Sequence, residues 1–198
     1  MKKLSTSKGF TLIELLVVVI VVIAIGGFVV SILFSTLRGT NKTNALTVVR
    51  QNGNGAISQM SKTIRNAKNI VDPISCIVTS SQNHITILTA EGNYLTYACC
   101  TSTTGDSNTL ISINGDYTDG VCSLTERISL FDTSSVTLES CSSVSTSFTC
   151  SQNSNIDSPS VGIKFTLKNY AADSGVSLQE NSALIPFQTS VVLRNLAR

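Results

Sequence analysis

Glu14 is the side chain with the most pointed chemistry in this sequence, because it is the one charge in an otherwise apolar run from residue 10 to residue 34. An ionised carboxylate at mid-bilayer costs on the order of 2.5–3.5 kcal/mol, and less near the interface, so it calls for a cationic partner. Six cysteines, Cys76, Cys99, Cys100, Cys122, Cys141 and Cys150, all follow that run. An even number beyond a translocating segment points to disulfides in an oxidising compartment, with several full pairings open. Zinc is not expected, since no Cys-x-x-Cys occurs and His84 is the only histidine. Asn114-Gly115-Asp116-Tyr117-Thr118-Asp119-Gly120 clusters oxygen ligands as a calcium loop would. It departs from the EF-hand pattern, with Asp119 where the glycine belongs, and reads as an acidic turn. His84 sits in an alternating segment without a nucleophile signature and reads as a surface or cross-strand residue. No phosphate loop, dinucleotide fingerprint or Gly-x-Ser-x-Gly occurs, and no enzyme is expected. Neither a cofactor nor a metal is expected either.

The elements that must position these groups follow from hydropathy and charge. Twenty-five helical residues from Phe10 rise by roughly 37 Å, enough to cross a hydrocarbon core of about 30 Å with some tilt. Lys2, Lys3 and Lys8 precede the run with no acid among them, which leaves a short leader in the cytoplasm and the remainder outside. The run is too long for a typical secretory h-region and no Ala-x-Ala-like site follows it. Residues 38–68 carry Arg38, Lys42, Arg50, Lys62, Arg65 and Lys68 and no acid. From residue 69 onward five basic residues meet eleven acidic ones, a balance of 5 − 11 = −6. A basic stem thus carries an acidic head, and the acidic heads of neighbouring copies suit the stem as partners.

Lys8-Gly9-Phe10-Thr11-Leu12-Ile13-Glu14-Leu15-Leu16-Val17-Val18 resembles the processing and assembly signature of type IV prepilins and the pseudopilins of type II secretion. The resemblance covers about twenty-five residues and is specific, since a basic leader, glycine, aromatic, glutamate and long span occur together. It implies cleavage by a prepilin peptidase between Gly9 and Phe10 and N-methylation of Phe10. It also implies that Glu14 receives the new terminal amine of an adjacent subunit and so sets the register of assembly. Two further stretches, Val49-Arg50-Gln51 with residues 57–67, and the ending Phe187-Gln188-Thr189-Ser190-Val191-Val192-Leu193-Arg194-Asn195, look like the J-type minor pseudopilins and the related W-type minor pilins. These are less specific, being also ordinary stem-helix and last-strand sequence.

Physical chemistry supports that pattern independently. Gly9 lets a protease approach the backbone closely, and a carboxylate in a low-dielectric bundle is tolerated once it meets a cation. Removing residues 1–9 takes away three lysines, so the side-chain charge becomes 2 − 3 = −1 and no specific nucleic-acid partner is expected. Gly26 and Gly27 weaken the span by about 1 kcal/mol each relative to alanine and are the expected place for a distortion that the family commonly makes with a proline; here Ser31 occupies that neighbourhood.

The expected fold class is α+β, type IV pilin-like: a long amino-terminal helix, half transmembrane and half amphipathic, packed on a mainly antiparallel β head. The divisions are a leader at 1–9, a transmembrane and assembly helix at 10–34, an amphipathic stem at 35–72 and a disulfide-bearing head at 73–198. Leu46, Val49, Gly53, Ile57, Met60, Ile64, Ala67 and Val71 recur at spacings of three and four, one stripe of a helix. That periodicity predicts a helix to about Asn69, interrupted near Gly39 and Asn41 and ended by Pro73. Strands are predicted at 84–90 and 94–99 around a Glu91-Gly92-Asn93 turn, and at 109–113, 127–131, 135–138, 161–167 and 185–193. Residues 139–160, nearly all Ser, Thr, Asn and Cys, read as a surface segment held by Cys141 and Cys150.

The resemblance thus implies a structural subunit, and the expected function is that of a minor pilin or pseudopilin of a type IV pilus or type II secretion pseudopilus. The implied partners are prepilin peptidase, other pilin or pseudopilin subunits, the inner-membrane assembly machinery and the membrane. The implied location is the inner membrane, single-pass with the head outside, then the periplasm or cell surface once assembled. The competing readings are a major pilin and a signal-anchored extracytoplasmic binding domain that never polymerises.

Overall fold

The computed structural model describes residues 9, 11–72, 76, 80–101, 108–115, 122, 127–142, 145–152, 158–169 and 183–194. A single helix, α1 (Leu12–Asn66), leads into ten strands: β1 (Asn69–Asp72), β2 (Ser80–Gln82), β3 (His84–Leu88), β4 (Tyr94–Thr101), β5 (Asn108–Asn114), β6 (Ile128–Ser129), β7 (Val136–Leu138), β8 (Ser147–Ser151), β9 (Ser160–Asn169) and β10 (Leu184–Val192). The chain divides into two compact units, Met1–Asn41 and Lys42–Arg198.

In the first unit the described residues 12–41 are helical throughout. The helix runs unbroken through Gly26, Gly27, Gly39 and Asn41, which overturns the interruption expected at Gly39. One glycine weakens a helix by only about 1 kcal/mol relative to alanine, too little to open a ladder that continues on both sides. Thr36 and Thr40 donate their hydroxyls to the carbonyls of Ile32 and Thr36, each at 2.9 Å, so these polar side chains fold back on the helix.

The second unit is the head. Its part of α1 buries Ala45, Val49, Gly53, Ala56, Met60 and Ile64: Val49, Gly53, Met60 and Ile64 of the expected stripe, with Ala45 and Ala56 buried where Leu46 and Ile57 are only half-buried. These residues share one core with Ile85, Ile87, Tyr97, Leu110, Leu138, Phe165, Leu167 and Phe187. Gly53 has no substitute there, because a Cβ would run into the Phe187 ring. That ring stacks on Phe165 with centroids 5.3 Å apart.

The helix ends at Asn66, short of the expected Asn69, and Pro73 lies outside the described residues. Sheet pairing is what stops it. Ala67 N–H turns back to the Ile64 carbonyl at 3.1 Å, and Lys68 N–H then bonds the Leu88 carbonyl at 2.8 Å. Asn69–Asp72 becomes β1 against β3. Val71, expected on the helix stripe, is therefore a half-buried strand residue.

The sheet is antiparallel in every pairing and runs β1-β3-β4-β5-β7-β9-β8-β2, with β10 beside β9 and β6 beside β5. Only Asn83 separates β2 from β3, yet the two strands pair with β8 and β4 respectively, so the sheet curls. The expected hairpin is β3 and β4, closed by Thr89 N–H on the Asn93 carbonyl at 2.8 Å, with Gly92 at a φ of 87°. Buried hydroxyls between strands are satisfied: Thr86 and Thr96 lie 2.8 Å apart, and Thr96 also reaches the Gly115 carbonyl at 2.7 Å.

Two expectations for the head are corrected. Residues 139–160 are not merely surface, because β8 forms there with Phe148 and Cys150 buried. Cys141 and Cys150 do not join each other: the bridges are Cys76–Cys150, Cys99–Cys141 and Cys100–Cys122. The pleat of β4 explains the last two, since successive side chains point to opposite faces. Cys99 enters the main core, while Cys100 joins a smaller cluster of Ala98, Ile111 and Ile113.

Candidate functional site

Thr11 begins α1. Its carbonyl accepts the N–H groups of Glu14 at 3.1 Å and Leu15 at 3.2 Å, and its hydroxyl lies 3.3 Å from the Glu14 N–H. Thr11 is thus the N-cap and Glu14 the third helical residue, the spacing of a capping box. The signal for this, Thr-x-x-Glu just before an apolar run, stands in the sequence and goes unused when Glu14 is read only as a buried carboxylate. A carboxylate in the first turn is also favoured by the partial positive charge of the helix start. Gly9 is exposed with open space where a side chain would stand. Phe10 lies outside the described residues.

No side chain of the apolar stretch is buried, from Leu12 and Ile13 through Phe28 and Phe34 to Leu37. This is one candidate membrane-spanning helix near the amino terminus, by length and composition. Residues 12–34 span about 35 Å at roughly 1.5 Å per residue, and an apolar surface of that extent needs lipid or other protein to cover it.

The basic stem residues Arg38, Lys42, Arg50, Lys62 and Arg65 are exposed on α1, and Lys68 is half-buried. In the head, Glu91 is held below the ordinary carboxylate range, first by a backbone hydrogen bond in its own turn, then by the Thr89 hydroxyl, with a smaller contribution from Lys68. Asp132 is likewise lowered, chiefly by the Ser134 hydroxyl and then by that of Ser135.

His84 lies across β3 from β1, its Nε2 2.9 Å from Asp72 Oδ2 and its Nδ1 3.1 Å from Asn83 Oδ1. That arrangement ties two strands together. Of the candidate calcium loop only Asn114 and Gly115 are described. Asn114 ends β5 opposite Leu95, and the Gly115 N–H bonds the Tyr94 carbonyl at 2.9 Å. Among the described residues no three His, Cys, Asp or Glu side chains gather as metal ligands would.

Clefts open on the head among the described residues. One, of about 230 Å³, is lined by Cys100, Thr101, Thr109, Arg127 and Ser129, and there Arg127 donates to the Cys122 carbonyl. Another, of about 370 Å³, lies between the end of the helix at Gln59, Lys62 and Asn66 and the turn at Thr89 and Glu91. Neither brings a nucleophile to a general base among the described residues. The concentration of unusual features is therefore at the amino-terminal helix, where a capped start, a first-turn carboxylate and an uncovered apolar surface coincide. No family model matches the chain, and no curated protein or solved structure matches it.

Proposed function

We propose that this chain is a structural subunit of a type IV pilus or type II secretion pseudopilus, a minor pilin or pseudopilin that is released and methylated by prepilin peptidase and then assembled through its amino-terminal helix. The observation that carries this reading is the position of Glu14: third residue of a capped helix whose apolar side chains are all exposed as far as Leu37.

Cleavage between Gly9 and Phe10 would leave a positive amine one residue before the N-cap. That amine and the Glu14 carboxylate then lie within about one turn of each other along the chain. When apolar helices stack with a stagger of about one turn, one copy offers an amine at the level where its neighbour offers a carboxylate. A charge pair formed there relieves the cost of burying either group alone, and a further turn of offset breaks it. Apolar surface supplies the attraction, and Glu14 supplies the register. The basic stem adds a long-range pull toward acidic heads of neighbouring copies.

The test is a mass spectrum of the amino terminus of the protein recovered from membranes. The reading requires a chain that begins at Phe10 and carries one added methyl group on its amine. An intact leader, or an unmodified Phe10, removes the basis for processing and favours a simple signal anchor.

A further inference from the structure

We propose that the head is matured by a thiol–disulfide isomerase, a partner that presents a reduced reactive thiol, and that oxidation alone leaves its bridges wrongly paired. The proposal rests on the functional reading above only in placing the head in an oxidising compartment. The three bridges are nested, Cys100–Cys122 inside Cys99–Cys141 inside Cys76–Cys150, with separations of 22, 42 and 74 residues. Only the innermost joins cysteines that are consecutive along the chain.

An unfolded chain favours other pairs, because the probability of closing a loop falls as roughly the three-halves power of its length. Cys141 and Cys150 are 150 − 141 = 9 residues apart, so their closure is favoured about tenfold over the native 42-residue separation of Cys99 and Cys141. Cys76 and Cys99 are 99 − 76 = 23 residues apart, which favours them about sixfold over the 74 residues between Cys76 and Cys150. The adjacent Cys99 and Cys100 add a second ambiguity. Exchanging their partners changes each loop by a single residue, an effect of about a tenth or less on closure odds. Discrimination comes only when β4 pleats and sends Cys99 to the main core and Cys100 to the smaller cluster.

The rearrangement balances without net oxidation. The isomerase thiolate attacks Cys150 in a Cys141–Cys150 bridge, forming a mixed disulfide and expelling the Cys141 thiolate. That thiolate attacks Cys99 in a Cys76–Cys99 bridge, forming Cys99–Cys141 and expelling Cys76. The Cys76 thiolate then attacks Cys150 of the mixed disulfide, forming Cys76–Cys150 and returning the isomerase thiolate. Two bridges enter and two leave. Attack on the native set is hindered because the Cys76–Cys150 bridge is buried at both ends and the other two bridges are buried at Cys99 and Cys100, with Cys141 and Cys122 half-buried.

The test uses the full chain in detergent, reduced and unfolded, then reoxidised by a protein disulfide donor with or without a reduced isomerase, with bridges mapped by mass spectrometry of unreduced peptides. The donor alone should leave the nested set at about a tenth of the product or less, with Cys141–Cys150 prominent, and the isomerase should raise it about tenfold. Equal yields of the nested set in both arms would overturn the proposal. A Cys99→Ser/Cys141→Ser double variant lacks both the nine-residue closure and the exchange, so its remaining bridges should depend less on the isomerase; undiminished dependence would also overturn it. Cysteines found fully reduced in protein taken from cells would instead count against the compartment, and so against the functional reading, while leaving the pairing result intact.

Discussion

In residues 12–41 every apolar side chain is exposed, whereas in the head most large apolar side chains of α1 and the sheet are turned into a core, and three disulfides cross-link the chain around it. One helix takes part in both units, so secondary structure is not what separates them. The separation lies in what covers each surface. From Ala45 onward the stripe at spacings of three and four meets the sheet, and the helix there is stabilised by its own chain. Before it, the apolar residues go all the way round, which suits a helix surrounded by lipid or by other helices. On the proposed reading the head is self-sufficient and the amino-terminal helix is completed by its surroundings. Changes in one region should then leave the other's measurements untouched.

The largest effect expected is on assembly. Glu14→Val removes the register charge while adding apolar surface, so the protein should stay in the membrane and its incorporation beside other subunits should fall by an order of magnitude or more. The head's denaturation midpoint should not move. Unimpaired incorporation, measured in recovered filaments against total membrane protein, would break the register role.

In the head the largest losses should come from the stacked ring. Phe187→Ala vacates a site against Phe165 and Gly53 and should cost about 3–5 kcal/mol. Gly53→Val drives a side chain into the same ring and should cost roughly 1–3 kcal/mol. Chemical denaturation of the head reads both, and a shift in membrane retention with either variant would blur the boundary between the regions. Thr11→Ala comes next, since loss of an N-cap is worth about 1 kcal/mol. It should fray the first helical turn and leave the head unchanged. Amide exchange at Glu14 and Leu15 reports it, because their N–H groups are the ones that Thr11 holds.

How much of this was legible in the sequence follows from how local each cause is. The apolar run declares itself within one segment, and the β3–β4 hairpin within about fifteen residues, through alternation and Gly92. The helix stop did not, because Lys68 leaves the helix for the Leu88 carbonyl, a partner twenty residues on. β8 was hidden by its Ser and Thr residues. Ser147 in it and Thr146 just before it are buried, and the Thr146 hydroxyl is satisfied by the Ser140 carbonyl at 2.7 Å, so polarity did not mean exposure. β2 pairs with β8 across some seventy residues and has no pattern of its own. Disulfide pairing is the least local of all: the choice between Cys99 and Cys100 depends on which face of β4 each occupies.

The smallest effect expected tests the seam between helix and sheet within the head. Asp132 N–H bonds the Asn52 side chain of α1 at 3.0 Å, while its carboxylate accepts the Ser134 and Ser135 hydroxyls, each at 2.6 Å, and the Ser134 N–H at 3.0 Å. These bonds favour the charged form, the Ser134 hydroxyl most, and hold the carboxyl below its ordinary value. A lowered folded value means that the stabilisation is fully present above the ordinary carboxylate range and is lost as the pH falls through the folded value. Acidification should therefore lower the protection of the Ser134 and Asp132 amides, measured as exchange relative to the intrinsic rate at each pH, ahead of the surrounding strands. In Asp132→Asn the carboxylate is absent, so that pH dependence should vanish, while the residues around Glu14 respond identically in both proteins. A matching acid response in the variant would place the titrating group elsewhere and remove Asp132 from the seam.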